Sequence, residues 1–289
     1  MRHLQALQRI ADDNGGNRAT PGPGYDASVD YVAAVLRSAG FQVSTPEYRV
    51  DRDNGSIISR NVIAQTRTGS TDQVVMLGAH LDSVEAGPGI NDNGSGVAAL
   101  LEIATKLGGS PGLPNAVRLG FWGSEEDDMQ GSTDYVESLS GADRARVALY
   151  MNLDMLASPN AGYFVQGGRG DGRTESGPPG SAVVGDVLGD ELTDVGVTAQ
   201  HVAFDDGSDF VPFIDAGIPT GGVLTGDEQR KTVRQASRWG GRSGQVFDAC
   251  YHAACDRVDN IDSTALDRYT DAIAAAVVRF ATSPQPVAR

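Results

Sequence analysis

The stretch GAHLDSVEAGPGINDNGSG, Gly78 to Gly96, gathers His80, Asp82 and Asp92 among glycines, directly after the apolar run Val74 to Leu77. The same residue types recur as Glu125 and Glu126 in FWGSEEDD, Asp154 in NLDM and His252 in CYHAAC. Two of the four histidines of the chain fall in these polar clusters. Imidazoles combined with carboxylates form a borderline donor set that suits Zn²⁺. One carboxylate can bridge two ions about 3.5–4 Å apart, and the ions acidify a shared water into a nucleophile near neutral pH. A carboxylate that binds no metal then accepts the proton of that water. The adjacent pair Glu125 and Glu126 offers that division, one ligand and one base. Asp82, two residues after His80, is spaced to accept from the second imidazole nitrogen and fix its tautomer. Each residue also has an ordinary reading: a surface histidine, a solvated acidic turn at GSEEDD, or in Asp92 an acid favoured by a helix dipole. Their joint occurrence at strand ends argues for the metal.

Groups of this kind collect beyond the carboxyl ends of strands in open α/β sheets. The elements needed to place them alternate along the chain. An amphipathic helix opens it (MRHLQALQRIADDNGG), and a second runs from Asp26 to Ala39, stopped by Gly40. Strand patterns cover Phe41–Val50, Asn61–Gln65, Gln73–Ala79, Val117–Trp122, Ala148–Met155 and Ile218–Leu224. Helical patterns cover Asn93–Leu107, Ser181–Asp194 and the closing Thr264–Thr282. This alternation predicts a single α/β domain over residues 1–289, with a mixed, mostly parallel central sheet and helices on both faces. The stretch Gln166–Ser181, rich in glycine, reads as a surface loop within that domain, and its Arg169-Gly170-Asp171 carries no assigned function.

Composition excludes other classes. The formal net charge of −15 repels phosphates and argues against nucleic acid as partner. No run of about 20 apolar residues exists to span a bilayer. The N-terminal stretch lacks the apolar core of a signal peptide, which fits a cytoplasmic protein or a processed chain. The two cysteines, Cys250 and Cys255, are spaced to close a small disulfide loop, the alternatives being free thiols or thiolate ligands.

The motifs GAHLDSV, GINDNGSG, FWGSEE, NLDM, SDFVPF, GGVLTG, RWGG and CYHAAC occur in that order after DNGGNRATPGPGYDASVDYV. From about Leu4 to about Thr282 the chain resembles the secreted double-zinc aminopeptidases of peptidase family M28. The resemblance implies that His80 and Asp154 hold one zinc, Glu126 and His252 the other, and that Asp92 bridges them. It implies Glu125 as general base and Tyr251 as a donor to the developing oxyanion. It also implies a non-proline cis peptide at Asp92-Asn93 and a Cys250–Cys255 disulfide. The implied reaction removes an N-terminal residue from a peptide with a free α-amine, by a monomeric secreted enzyme. Met155 and Leu224 join Tyr251 as walls of a pocket for a large apolar first residue such as leucine. Asp267 and Asp271 match two aspartates that hold calcium in relatives. One departure is Gly207-Ser208-Asp209-Phe210, where relatives carry an arginine at the first of these positions. Other readings are a single-zinc glutaminyl cyclase-like acyl transferase, a non-catalytic binding relative and a carboxypeptidase. The retained ligands and Glu125 argue against the first two, and no cationic group stands ready for the substrate carboxylate that the third needs.

Overall fold

A computed structural model of the chain describes residues 1–52, 55–167 and 177–287. Arg169, Gly170 and Asp171 lie outside the described residues. Two helices, α1 (Arg2–Asp13) and α2 (Pro23–Ser38), precede an edge strand β1 (Gln42–Ser44), a separate hairpin β2 (Glu47–Arg52) and β3 (Gly55–Arg60), and strand β4 (Val62–Gln65). Then come β5 (Ser70–His80), α3 (Gly94–Leu107), β6 (Asn115–Trp122), α4 (Gln130–Ser138), α5 (Gly141–Arg146), β7 (Val147–Leu153) and β8 (Phe164–Gln166). The chain closes with α6 (Ser181–Asp194), β9 (Gln200–Val202), α7 (Phe210–Asp215), β10 (Thr220–Leu224), α8 (Val233–Trp239) and α9 (Ser263–Thr282).

Eight strands form one sheet in the order β1-β4-β6-β5-β7-β10-β8-β9. The central four, β6, β5, β7 and β10, run parallel. Their carboxyl ends therefore share one edge, and β1, β4 and β8 join antiparallel. The period of two along β5 sorts its side chains. Val75 and Leu77 pack into the larger core with residues of α1, α2, α3, α6 and α9, whereas Met76 enters a smaller core with Trp122, Tyr150, Phe210 and Phe213. Both faces are covered, which explains why β5 and β7 read as continuous apolar runs rather than alternating ones.

The predicted mixed sheet with helices on both faces is thus what the chain forms. The predicted single strand Phe41–Val50 is instead two elements in two sheets. Pro46 sits at the break: it has no backbone N–H and restricts the residue before it, so the edge pairing of β1 with β4 stops at Ser44. The strand predicted to reach Met155 ends at Leu153, because Met155 takes a left-handed φ of 50°. Gln166, placed by sequence in a loop, is the last residue of β8.

Candidate metal centre

The shared carboxyl edge builds the site. His80 is the final residue of β5, Glu125 and Glu126 follow β6, Asp154 follows β7, and Leu224 ends β10. Asp92 arrives from the loop between β5 and α3, one residue before the N-cap Asn93. The Asn93 side chain accepts from Gly96 N at 3.0 Å and donates to Leu153 O at 2.8 Å, so it ties the start of α3 to the end of β7. The Asp92-Asn93 peptide is cis, as the resemblance implied.

Asp92 lies between the two histidines. Its Oδ1 is 3.1 Å from His80 Nε2 and its Oδ2 is 3.2 Å from His252 Nε2. His80 Nε2 also faces Asp154 Oδ1 at 3.4 Å, and His252 Nε2 faces Glu126 Oε2 at 3.1 Å. Ligands bound tetrahedrally at about 2.0–2.1 Å from one zinc stand about 3.3 Å apart, so these separations suit donors converging on shared ions. One donor atom each from His80, Asp92 and Glu126 lies within 4.8 Å of the others, and the same holds for His80, Glu125 and Asp154. Glu126 Oε1 and Asp154 Oδ1 are buried without any hydrogen-bond partner. Buried carboxylate oxygens normally find a donor, and a cation would meet that need here. The residues present fit a pair of divalent ions.

The electrostatics point the same way. Burial pushes Glu126 up to about 7, helped by the neighbouring Asp92. Hydrogen bonds to Asp92 and Glu126 pull His252 up to about 10. His80 is raised too: burial opposes its charge, but Glu125 and Asp154 overcome that. Asp92 moves the opposite way, because contacts with His252 and His80 outweigh its burial. Burial also drives Glu125 well above the ordinary carboxylate range, with Asp209, Asp154 and Glu126 adding to the effect. Glu125 and Glu126 ionise only with difficulty, and concentrated positive charge beside them would stabilise their charged forms.

Other predicted residues fall as follows. Asp82 Oδ1 stands 3.6 Å from His80 Nδ1, beyond hydrogen-bond length, and accepts from Glu125 N at 3.3 Å. Asp82 therefore holds the backbone of the general-base candidate, and the hydrogen bond expected from His80 Nδ1 is not made. Tyr251 stacks on His252, with ring centroids 3.9 Å apart, and lines the same cleft of about 230 Å³ with Met155 and Leu224. Cys250 and Cys255 form a disulfide of 2.07 Å that closes the loop carrying Tyr251 and His252. Asp267 and Asp271 are exposed on α9 and belong to no cluster of three ligand-type groups among the described residues.

Sequence reasoning missed much of the support. Arg18 is fully buried and donates to Pro88 O at 2.9 Å, Gly89 O at 2.6 Å and Leu81 O. It thus grips the metal loop at both ends. Asp256 accepts from Asn91 N at 2.7 Å and Asp92 N at 2.9 Å, which fixes the bridging aspartate from the side of the disulfide loop. A relay runs from Trp122 Nε1 to Tyr150 Oη, on to Asn152, then Ser208, and ends at Asp154 Oδ2 at 2.6 Å. The only hint was that Arg18 and Ser208 sit inside motifs already noted.

The profile of peptidase family M28 matches residues 61–277. The chain belongs to peptidase family M28. It is 43% identical over 277 residues to leupeptin-inactivating enzyme 1 of Streptomyces exfoliatus, covering 95% of this chain and 60% of that protein. It is 46% identical over 288 residues to a probable lipoprotein aminopeptidase of Mycobacterium tuberculosis, covering 96% of this chain and 57% of that one. The chain thus spans somewhat under two thirds of the length of these relatives. Its fold superimposes on a zinc aminopeptidase from Bacillus subtilis with a TM-score of 0.75 at 16% identity, over 95% of this chain and 93% of that one. A glutaminyl cyclase from Bacteroides thetaiotaomicron superimposes equally well, with a TM-score of 0.74 at 17% identity, over 96% of each chain. The fold is therefore shared by both chemistries, and the side chains must decide between them.

Proposed function

We propose that this M28 protein is a double-zinc aminopeptidase that removes N-terminal residues from peptides. The observation that carries the reading is Asp92, whose two oxygens face His80 and His252 at nearly equal distances of 3.1 and 3.2 Å. His80 and Asp154 would hold one Zn²⁺, Glu126 and His252 the second, and Asp92 both. When bound, the ions supply Lewis-acid polarisation and acidify a water. Glu125, which would hold no metal, would act as the base that takes a proton from the attacking water and returns it to the leaving amine. Asp154, beside Glu125, also receives the free α-ammonium of the substrate. Tyr251 donates to the oxygen on which negative charge develops. A single-zinc glutaminyl cyclase chemistry is less well supported, since both histidines and all three ligand carboxylates converge on one centre.

The disulfide fits secretion into an oxidising compartment. Among the described residues no helix is long and apolar enough to cross a membrane. The expected partners are peptides with a free N-terminus, bound by a monomer. Calcium at Asp267 and Asp271 predicts a Ca²⁺-dependent rise in Tm that Asp267→Asn removes; an unchanged Tm would discard that ion.

The decisive experiment measures turnover of leucine p-nitroanilide beside its N-acetylated form, with zinc counted on the same sample. Cleavage of only the free amine, two zincs per chain and loss of activity to chelator are expected. No zinc under metal-replete conditions would overturn the reading.

A further inference from the structure

The cleft contains polar groups that the proposed metal chemistry does not use. Gln166 is only 4% exposed, yet it lines the cleft. Its backbone pairs with Gly222 of β10, which in turn pairs with Asn152 of β7. A Cβ on Gly222 would stand 2.5 Å from Gln166 Oε1, so the absence of a side chain there lets the Gln166 amide lie over β10. Among the described residues that amide has no hydrogen-bond partner. The amide atoms open onto the cleft, where they can donate to and accept from a bound molecule.

The charge around it is one-sided. Asp128, Asp205, Asp206 and Asp227 line the same cleft, and among the described residues no lysine or arginine does. Asp227 lies close enough to Asp154 and Tyr251 for their charges to influence one another. Gly207 adds no charge at this rim. Two divalent ions would balance Asp92, Glu125, Glu126 and Asp154, leaving the four rim acids without a counter-charge. Met155 and Leu224 supply the apolar walls between metal centre and rim.

We propose that the pocket selects an N-terminal residue with an apolar stem and a cationic head, lysine or arginine, with Gln166 and Asp227 as the residues that recognise the head. The stem lies along Met155 and Leu224, the head accepts no hydrogen bond but donates to Gln166 Oε1, and Asp227 supplies the opposite charge. Unlike a wholly apolar pocket, this one leaves the Gln166 amide unsatisfied when leucine is bound. The inference rests on the aminopeptidase reading for its substrate class.

The test compares kcat/KM for lysine, arginine, leucine and methionine p-nitroanilides on the zinc-replete protein. Lysine and arginine substrates are expected to match or exceed leucine, and rising ionic strength is expected to raise KM for lysine but not for leucine. Gln166→Leu and Asp227→Asn should each shift the lysine-to-leucine ratio about tenfold towards leucine. A wild-type preference for leucine over lysine of a hundredfold or more would overturn the proposal, as would variants that leave the ratio unchanged. Calorimetric binding of lysinamide and leucinamide reads the pocket without turnover. Tighter lysinamide supports the inference even if the peptidase reading fails, and tighter leucinamide overturns it.

Discussion

At the scale of single residues, Glu125 has the role of base in the proposed reaction. It sits beside Glu126 yet is oriented separately, its backbone N–H held by Asp82 at 3.3 Å. Glu125→Gln keeps the size and removes the base. The expected outcome is two zincs retained and turnover lowered by about 10²–10⁴-fold, read by metal analysis and kinetics on one preparation. Loss of zinc in that variant would place Glu125 among the ligands. A second residue, far from the cleft, sets acid sensitivity. Burial, with the adjacent Arg2, lowers His3 to about 4 from its usual 6.5. Between those values the unfolded chain takes up a proton that the folded chain refuses, so stability is full above pH 6.5 and falls as pH drops towards 4. His3→Gln is expected to lessen that acid loss, measured by urea unfolding at pH 7 and pH 4.5.

At the scale of elements, the metal loop between β5 and α3 is held from outside itself. Arg18, on the segment between α1 and α2, donates to three of its carbonyls. Gly89 takes a φ of 60°, and a Cβ there would stand 2.3 Å from Asp92 O, so the loop folds back close to its own ligand. Replacing Arg18 with methionine strands buried carbonyl oxygens at about 1–3 kcal/mol each. The expected loss is about 3 kcal/mol or more in denaturant unfolding, together with weaker zinc retention; a variant equal to wild type in both would show that the loop needs no clamp. The relay ending at Ser208 and Asp154 does the same for the β7 side, and the Cys250–Cys255 loop does it for His252.

At the scale of the whole molecule, the acidic cluster couples metal to stability. His80, Asp92, Glu125, Glu126 and Asp154 come from four separate segments and meet at one sheet edge. Cations that bind only the folded arrangement stabilise it by mass action, about 2.7 kcal/mol at a free concentration 100 times Kd. Chelation is therefore expected to lower Tm and zinc to restore it, by calorimetry on the dialysed protein. Absence of any zinc-dependent change in Tm would argue against a folded-state metal site. The net charge of −15 also repels polyanions.

Much of this was legible in the sequence because it is local. Helices with a marked apolar stripe, such as α9 with Leu266, Tyr269, Ile273, Ala276 and Val277 buried, declare themselves by period. Ligand-type residues at strand ends announce a metal, and their motifs announce the family. Short elements such as β8, β9 and α7 were missed, because three to six residues carry too little periodicity to read. The sequence by itself determined the fold class and pointed to the ligand-type residues His80, Asp92, Glu125, Glu126 and Asp154 that meet at the sheet edge. Only the tertiary structure decided that Asp92 faces both histidines, that Arg18 and Asp256 hold its loop, and that Gln166 enters the cleft. Each of those facts joins segments far apart in the chain, up to 165 residues between Asn91 and Asp256. Spacing along a sequence carries no information about such distances until the sheet order fixes which ends meet.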